Sequence, residues 1–336
     1  MRAWSVVVPR ERAEEIRRML LDQGLLLKLL HIRSDGDTVR LPTRRRLDLG
    51  FPSEEAEFEE GFLPIRSYKD VVQVPPALRA SLPSSFDVVG DIAVIKIPEA
   101  LRSHREAIGQ AILEWNPKIL VVLEDSGVQG ELRIRKIERI AGEPRTTTVH
   151  VEHGLHYHVD LSHAYFSPRL ATERKRIADL VKEGETVADP FAGVGPYSIL
   201  IAKRRRPRDV YAADANPTAV RLLQENVAAN RTDHVTVLEG EARSILRHLP
   251  PLDRVILDLP HSAMEYLPES LRAFSDRGTV HLYAILEETD ERDRREAVES
   301  TVRAAGFRVT DLTIHHVRAY SPTKYHTAFD VTVARA

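Results

Sequence analysis

From Ser167 to the C-terminus the sequence alternates between short apolar runs and amphipathic segments, and this alternation restricts the fold more than any other feature. Apolar runs typical of buried strands lie at 186–190, 209–213, 234–238, 253–258 and 279–285. Helices fit between them at about 171–181, 196–204, 217–230, 241–248 and 265–274. A helix at 289–305 and two antiparallel strands near 307–316 and 325–334 complete the pattern. The alternation predicts a mostly parallel sheet with helices on both faces.

The residues before Ser167 form smaller predicted segments. A strand at 4–8, a helix at roughly 10–23 and strand-like runs near 29–33 and 37–41 indicate a small α/β module. The acidic stretch from Glu54 to Glu60 is typical of a linker or mobile loop. An extended run at 87–97, a helix at 99–114 and strands at 119–123 and 133–141 follow, and then a hairpin that turns at Gly154. We therefore expect domains at 1–60, 61–145 and 146–336.

The chain contains no cysteine, which excludes disulfides, thiolate metal sites, iron–sulfur clusters and cysteine nucleophiles. It also excludes methylation of a pyrimidine base through a cysteine adduct. The formal net charge of −2 counts mildly against nucleic-acid binding, although basic clusters occur at 44–46, 133–136 and 203–208. No apolar run approaches the roughly 18 residues of a membrane span, and no signal peptide is recognisable. A cytoplasmic protein with no membrane association is expected.

The strongest chemical signal is the sequence DPFAGVGPYS at 189–198, which follows a predicted strand and precedes a predicted helix. Gly193 and Gly195 permit a tight turn and a close approach of the backbone to a ligand. Pro196 suits the first helical turn, whose free N–H groups can bind an anionic group. The turn from Phe191 to Pro196 is therefore predicted to bind a cofactor, with a plain strand-to-helix turn as the alternative.

Acidic residues follow the next two strands, as expected for a nucleotide site. Asp214 ends the second strand, 21 residues after Gly193, where a carboxylate can accept hydrogen bonds from both hydroxyls of a ribose. Glu241 follows the third strand, where an acidic residue can bind an adenine amino group. A dinucleotide and S-adenosylmethionine both fit this arrangement. Ser198 is a poor match to the third small residue that the dinucleotide fingerprint requires.

The fourth strand ends in the sequence LDLPH, so Asp258, Pro260 and His261 are expected where a reacting base would lie. Four histidines at 150–158 lie on one predicted hairpin, and such a cluster can indicate a metal site. No carboxylate completes a known ligand spacing there, so no metal is expected.

At these residues the sequence resembles the archaeal-type tRNA (guanosine-37 N1)-methyltransferase family, along nearly the whole chain. The matching stretches include YFSPRLATERKR (165–176), VADPFAGVGPYSI (187–199), ADANPTAVRLLQENVAAN (213–230), VILDLPHSAMEYL (255–267), SSFDVVGDIAVIKIP (84–98) and the first module (6–26). The resemblance implies a Rossmann-like class I methyltransferase domain preceded by two small α/β domains. It also implies S-adenosylmethionine as cofactor and tRNA as partner, held at its outer corner by the first module and at its anticodon arm by the middle domain.

The resemblance also implies roles for individual residues. Glu173 would be the general base that removes the N1 proton of guanine, and Arg133 would stabilise the charge that develops on O6. Tyr165 or Phe166 would stack on the extruded base. Arg169 would lie near the methionine carboxylate or the RNA backbone. A monomer without an obligate protein partner is expected.

The sequence departs from the family pattern at three positions. Asp258 stands where asparagine is usual, Glu241 where aspartate is commoner, and Pro190 where methionine is usual. An ionised aspartate can accept a hydrogen bond from the base but cannot donate one. Three alternatives stay open. The first is a wybutosine-pathway transferase, which adds a carbon-bound methyl or an aminocarboxypropyl group to the tricyclic base. The other two are a non-catalytic tRNA-binding protein and a nicotinamide-dependent oxidoreductase.

Overall fold

A computed structural model describes residues 1–27, 29–59, 67–129 and 134–336 of the chain. The chain divides into two compact units, Met1–Asp70 and Val71–Ala336. None of the described helices is long and apolar enough to cross a membrane.

The described part of the first unit is an antiparallel sheet of four strands with a helix against it. Its elements are β1 (Arg2–Pro9), α1 (Ala13–Asp22), β2 (Arg33–Asp35), β3 (Thr38–Thr43) and β4 (Ser53–Glu57). The strands lie in the order β2-β3-β1-β4. Ile16 and Leu20 lie four residues apart on one face of α1, so both point into a core with Val6, Val8 and Leu41.

Two predictions for this unit were wrong. The stretch from Glu54 to Glu60 was expected to be a linker, but its first half belongs to β4, which pairs with β1 from Arg2↔Glu57 to Val6↔Ser53. An acidic sequence is tolerated there because β4 is an edge strand, and Arg2 and Arg40 form ion pairs with Glu55 and Glu54. The strand expected at 29–33 begins only at Arg33, since pairing with β3 is confined to the short hairpin at 33–40.

The second unit begins with an α/β layer, and a short helix, α2 (Tyr68–Val71), precedes that layer along the chain. Its strands are β5 (Asp87–Val89), β6 (Ile92–Ile95), β7 (Val121–Gln129) and β8 (Ile134–Gly142), in that order across the sheet. α3 (Arg105–Trp115) connects β6 to β7, and these two strands are therefore parallel. The extended run predicted at 87–97 is in fact a hairpin that turns at Gly90, whose φ is +57°.

A hairpin of β9 (Thr147–Glu152) and β10 (Leu155–Asp160) follows, and the turn predicted at Gly154 is confirmed. Asn226 and Asn230 anchor this hairpin to the helix that carries them. Their side chains hydrogen-bond the backbone N–H and C=O groups of His158 and His156, at 2.6–3.1 Å. The edge of β10 is thereby satisfied by side chains instead of by another strand.

The largest sheet contains seven described strands. They are β11 (Thr186–Asp189), β12 (Asp209–Asp214), β13 (Val235–Glu239), β14 (Leu252–Leu257), β15 (Phe274–Glu287), β16 (Phe307–Ala319) and β17 (Lys324–Arg335). The helices around them are α4 (Ala171–Leu180), α5 (Pro196–Arg204), α6 (Pro217–Asn230), α7 (Ala242–His248), α8 (Leu267–Arg272) and α9 (Glu291–Ala304). The strand order is β13-β12-β11-β14-β15-β17-β16, and β17 runs in the direction opposite to the other six described strands. The predicted fold class is confirmed.

The C-terminal half of this sheet is longer than the sequence indicated. A strand was expected at 279–285, but β15 extends from Phe274 to Glu287 because β17 pairs with it from Arg277↔Ala334 to Glu287↔Lys324. The antiparallel partner satisfies backbone groups that a parallel neighbour of four to six residues would leave unpaired. As a result, β15, β16 and β17 reach beyond the parallel strands at the edge where the functional groups gather.

Candidate active site

A cavity of about 290 Å³ lies at the carboxyl ends of the parallel strands. The loops that follow β11, β12 and β14 line it. The strand order changes direction beside β11, because β12 and β13 lie on one side and β14 on the other. The loops therefore part at this point and leave a crevice, as in other open α/β sheets. Nine residues predicted from the sequence line the cavity: Tyr165, Phe166, Phe191, Gly193, Pro196, Asp214, Glu241, Asp258 and Pro260.

The glycine loop has the conformation that its sequence predicts. Gly193 and Gly195 have φ values of +54° and +89°, in the left-handed region that favours glycine. A Cβ on Gly195 would also lie 2.2 Å from Leu223 Cδ1, so a side chain there would collide with α6. Pro196 is the first residue of α5. The loop therefore brings the helix N-terminus close to the cavity.

Asp214 connects the glycine loop to the end of β12. Its carboxylate accepts hydrogen bonds from the backbone N–H of Gly193 at 2.8 Å and of Asn216 at 2.9 Å. Burial raises the pKa of Asp214, and these backbone hydrogen bonds oppose the rise. The side chain is held rigidly at the cavity wall and can accept further hydrogen bonds from a ligand. Glu241 is engaged locally, because its carboxylate caps the N-terminus of α7 through Ser244 N at 3.1 Å.

Asp258 stands at the end of β14 and faces the C-terminal strands. His326 Nε2, on β17, lies 3.8 Å from Asp258 Oδ1, and both side chains line the cavity. Pro260 also lines the cavity, whereas the exposed His261 is not among the lining residues. The aspartate that replaces the usual asparagine therefore has an imidazole opposite it.

Glu173, in the first turn of α4, is buried and fully engaged. Arg176 donates to both of its carboxylate oxygens, at 2.8 and 2.7 Å, and the Tyr283 hydroxyl donates to Oε1 at 2.6 Å. Arg176 also pairs with Asp330, which in turn accepts from His281. Glu173 is not among the residues that line the cavity, although its neighbours Leu170 and Arg174 are.

The three aromatic residues that the sequence predicted for the site all line the cavity. Tyr165 lies under the Arg135 guanidinium, 5.4 Å from the ring centre. Phe166 is only 1% exposed and packs against Tyr157, so its ring belongs mainly to the core. Phe191 makes an edge-to-face contact with Tyr266 at 4.9 Å between ring centres. Of the two aromatics predicted to stack on a base, Tyr165 is the more accessible.

The two predicted cationic residues have different outcomes. Arg169 is half exposed and pairs with Asp87 of β5, and it is not among the lining residues. Arg133 lies outside the described residues. Arg135, in β8, pairs with Asp125 at 2.9 Å and donates to the carbonyl of Phe166.

Sequence reasoning missed the contribution of the C-terminal hairpin. Arg318 and Tyr320, at the end of β16, line the cavity together with His326. Arg318 Nε is buried without a hydrogen-bond partner among the described residues, and Tyr320 is half exposed. The one feature of the sequence that could have indicated this contribution was the length of the two C-terminal strands. Sequence periodicity underestimated each strand by up to three residues. These residues are separated from the glycine loop by more than 100 positions, so no local motif unites them.

Comparisons with known proteins match every part of the chain. Residues 148–310 match the TRM5/TYW2 methyltransferase domain, residues 69–146 the TYW2 N-terminal domain, and residues 6–48 the tRNA methyltransferase 5 N-terminal domain. The Pyrococcus abyssi tRNA (guanine(37)-N(1))-methyltransferase Trm5b is 38% identical over 98% of this chain and 99% of its own length. The Methanocaldococcus jannaschii Trm5b is 31% identical over 97% of each chain.

The solved structures lead to the same group. The crystal structure of Pyrococcus abyssi Trm5b has a TM-score of 0.76 at 37% identity and covers 99% of both chains. A complex of aTrm5 with tRNALeu has a TM-score of 0.70 at 28% identity, covering 98% of this chain and 99% of the other. The predicted family is therefore confirmed: the chain belongs to the tRNA (guanine(37)-N(1))-methyltransferases that carry the TRM5/TYW2 methyltransferase domain.

Proposed function

We propose that this protein transfers a methyl group from S-adenosylmethionine to N1 of guanosine 37, the base next to the anticodon of tRNA. One observation supports this function over its nearest alternative. The Trm5b relatives from Pyrococcus abyssi and Methanocaldococcus jannaschii, named for N1 methylation of guanine 37, match 97–98% of the chain, including the first unit, and residues 6–48 match the tRNA methyltransferase 5 N-terminal domain. Relatives that act on 4-demethylwyosine, a methyltransferase from Saccharolobus solfataricus and an aminocarboxypropyltransferase from Methanocaldococcus jannaschii, match only 73–74% of it.

The cavity residues suit S-adenosylmethionine. The Asp214 carboxylate, fixed by two backbone N–H groups, would accept hydrogen bonds from the ribose hydroxyls, while the glycine loop leaves room for the donor. A Cβ on Gly193 would find only the Tyr165 carbonyl within 4 Å, at 3.6 Å, so the loop is open on that side. A related structure of Methanocaldococcus jannaschii Trm5 holds adenosine. When bound, the donor supplies a methyl carbon that its sulfonium has already made electrophilic.

The reaction requires removal of the proton from N1 of guanine. Glu173 is the carboxylate proposed to receive this proton as a general base. Its two oxygens are held by Arg176 and Tyr283, so the carboxylate has a fixed orientation. Asp258 would accept a hydrogen bond from the base or from the donor's amino group, and Tyr165 would stack on the base. The role of Arg133, stabilisation of O6, stays a prediction.

The tRNA is proposed to contact both units. The first unit, with its basic cluster at 44–46, would recognise the outer corner, and the layer formed by β5–β8 would hold the anticodon arm. Support comes from the match of residues 6–48 to the tRNA methyltransferase 5 N-terminal domain and from the neighbouring structure with tRNALeu.

Nucleoside analysis of the product tests this function. The protein is incubated with labelled S-adenosylmethionine and unmodified tRNA transcripts that carry guanosine or adenosine at position 37. We expect 1-methylguanosine from the first transcript and at least a tenfold lower yield of methylated nucleoside from the second. Labelling only of tRNA that already contains 4-demethylwyosine would instead identify a wybutosine-pathway transferase. Cofactor binding without transfer to any of these tRNAs would identify a binding protein.

A further inference from the structure

Two buried phenols connect the cavity to Glu173. The Tyr283 hydroxyl, on β15, donates to Glu173 Oε1 at 2.6 Å, and the Tyr197 hydroxyl, in the first turn of α5, donates to Tyr283 Oη at 3.3 Å. Tyr197 and Tyr283 are 3% and 0% exposed. Three separate elements thus contribute one continuous chain of hydrogen bonds.

The two ends of this series of hydrogen bonds, Tyr197 and Glu173, have different surroundings. Tyr197 lines the cavity, whereas Glu173 does not. Both hydroxyl protons point toward Glu173, so the Tyr197 oxygen keeps a lone pair that can accept a proton from the cavity side. The donor-to-acceptor direction of these hydrogen bonds therefore matches proton movement from the cavity to the Glu173 carboxylate.

The remaining groups around Glu173 cannot carry that proton. Arg176 donates to both carboxylate oxygens, and a guanidinium only donates. Burial raises the pKa of both phenols well above the ordinary value of 10, so each holds its proton at neutral pH and would release it only while accepting another. Among the described residues that hydrogen-bond Glu173, Tyr283 is thus the one that can both give and receive a proton.

We propose that Tyr197 and Tyr283 relay the N1 proton of guanine to Glu173, an inference that rests on the proposed function. The N1–H bond breaks as Tyr197 Oη takes that proton and passes its own to Tyr283 Oη. Tyr283 then passes its original proton to Glu173 Oε1. Both phenols end neutral, Glu173 ends as a carboxylic acid, and the N1 electron pair becomes available for the new bond to the methyl carbon.

A second buried ion pair stabilises the product of this relay. Arg176 Nη1 contacts Asp330 Oδ2 at 2.5 Å, so the guanidinium keeps one ionised partner after Glu173 is protonated. Asp330 accepts from His281 Nδ1 at 2.6 Å, while His281 Nε2 accepts from Arg254 at 2.7 Å. Burial raises the pKa of Asp330, but the hydrogen bonds from His281 and Arg176 outweigh it and keep the pKa below its usual range. The partly buried Arg176 guanidinium therefore still has an ionised partner at the end of the step.

Phenylalanine substitutions test the relay in the full-length enzyme. Tyr157→Phe is the matched control, because its hydroxyl lies in the same core but contacts the Pro196 carbonyl, at 3.4 Å, outside the chain. The single-turnover rate of methyl transfer is measured at saturating tRNA and S-adenosylmethionine. We expect Tyr197→Phe and Tyr283→Phe to slow it by tenfold or more, Tyr157→Phe by less than twofold, and cofactor affinity to change by less than twofold in each variant.

A measurement on the unsubstituted enzyme avoids the question of misfolding. The rate is followed against the fraction of deuterium in the solvent, and a relay of several protons predicts a curved dependence that becomes linear in Tyr283→Phe. A linear dependence in the unsubstituted enzyme, or full rates in both Tyr197→Phe and Tyr283→Phe, overturns the relay. If the relay is overturned but Glu173→Gln still transfers the methyl group slowly, Glu173 remains the proposed general base and only the relay is rejected. If no tRNA with guanosine 37 is methylated at all, the proposed function itself fails.

Discussion

Asp189 is fully buried at the end of β11, directly before the glycine loop. Its Oδ2 accepts a hydrogen bond from Ser198 at 2.7 Å, while Oδ1 has no hydrogen-bond partner among the described residues. Burial raises the pKa of this carboxyl to about 7, and the charges of Asp258 and Asp214 add to the rise. The folded protein therefore favours the protonated form of Asp189.

Asp189→Asn should alter the pH dependence of stability. Between the ordinary pKa of 3.8 and about 7, the folded chain holds a proton that the unfolded chain has lost. The free energy of unfolding therefore falls as pH rises through this range. Between pH 5 and 7.5, we expect the free energy of unfolding of the unsubstituted protein to fall by about 2 kcal/mol more than that of Asp189→Asn. Chemical denaturation of both proteins at both pH values checks this. If the free energies of unfolding of the two proteins differ by the same amount at both pH values, the raised pKa of Asp189 is refuted.

Single residues differ in how far the sequence could locate them. The glycine loop and Asp214 were predictable because neighbouring residues within one strand–loop–helix unit fix their geometry. The environment of Glu173 was not, because Tyr283 and Asp330 lie 110 and 157 positions away. Arg169 illustrates the same limit, since its partner Asp87 belongs to another sheet. Local motifs therefore indicated the type of site, and tertiary packing determined the contacts.

At the scale of elements, the C-terminal hairpin of β16 and β17 closes one side of the cavity. The sequence predicted the hairpin and its antiparallel pairing, and both are confirmed. It did not predict that the strands extend far enough to bring Arg318 and Tyr320 to the cavity wall. Strand ends depend on which neighbour offers backbone partners, and that neighbour is known only after the sheet is assembled. The hairpin therefore adds a cationic side chain, Arg318, to the cavity wall.

Arg318→Ala should weaken tRNA recognition and spare cofactor binding. A charged hydrogen bond contributes about 1.5–3 kcal/mol, so we expect the KM for tRNA to rise about tenfold or more. Arg308→Ala removes the same charge from the exposed opposite end of β16 and should leave KM within twofold. Steady-state kinetics with varied tRNA, together with a cofactor titration, checks this. The opposite pattern, weaker cofactor binding with an unchanged KM for tRNA, would contradict the assignment.

At the scale of the whole molecule, the chain combines two units with one chemical centre in the second. The sequence predicted three successive domains, and this division stays a prediction. Composition alone was less informative: a net charge of −2 counted against nucleic acid, yet every matching relative described above acts on tRNA. The proposal that Glu173 receives the proton depends on long-range assembly, since α4, α5 and β15 carry the residues of the relay.

The most direct test of that claim is the single-turnover rate of 1-methylguanosine formation by Glu173→Gln on full-length tRNA. Arg176 keeps Asp330 as a partner in this variant, so the fold should persist. Glu183→Gln makes the same chemical change at an exposed position and serves as the control. We predict a rate at least about 100-fold lower for Glu173→Gln, as expected for loss of a general base, with cofactor affinity unchanged. A rate within twofold of the control would contradict the account.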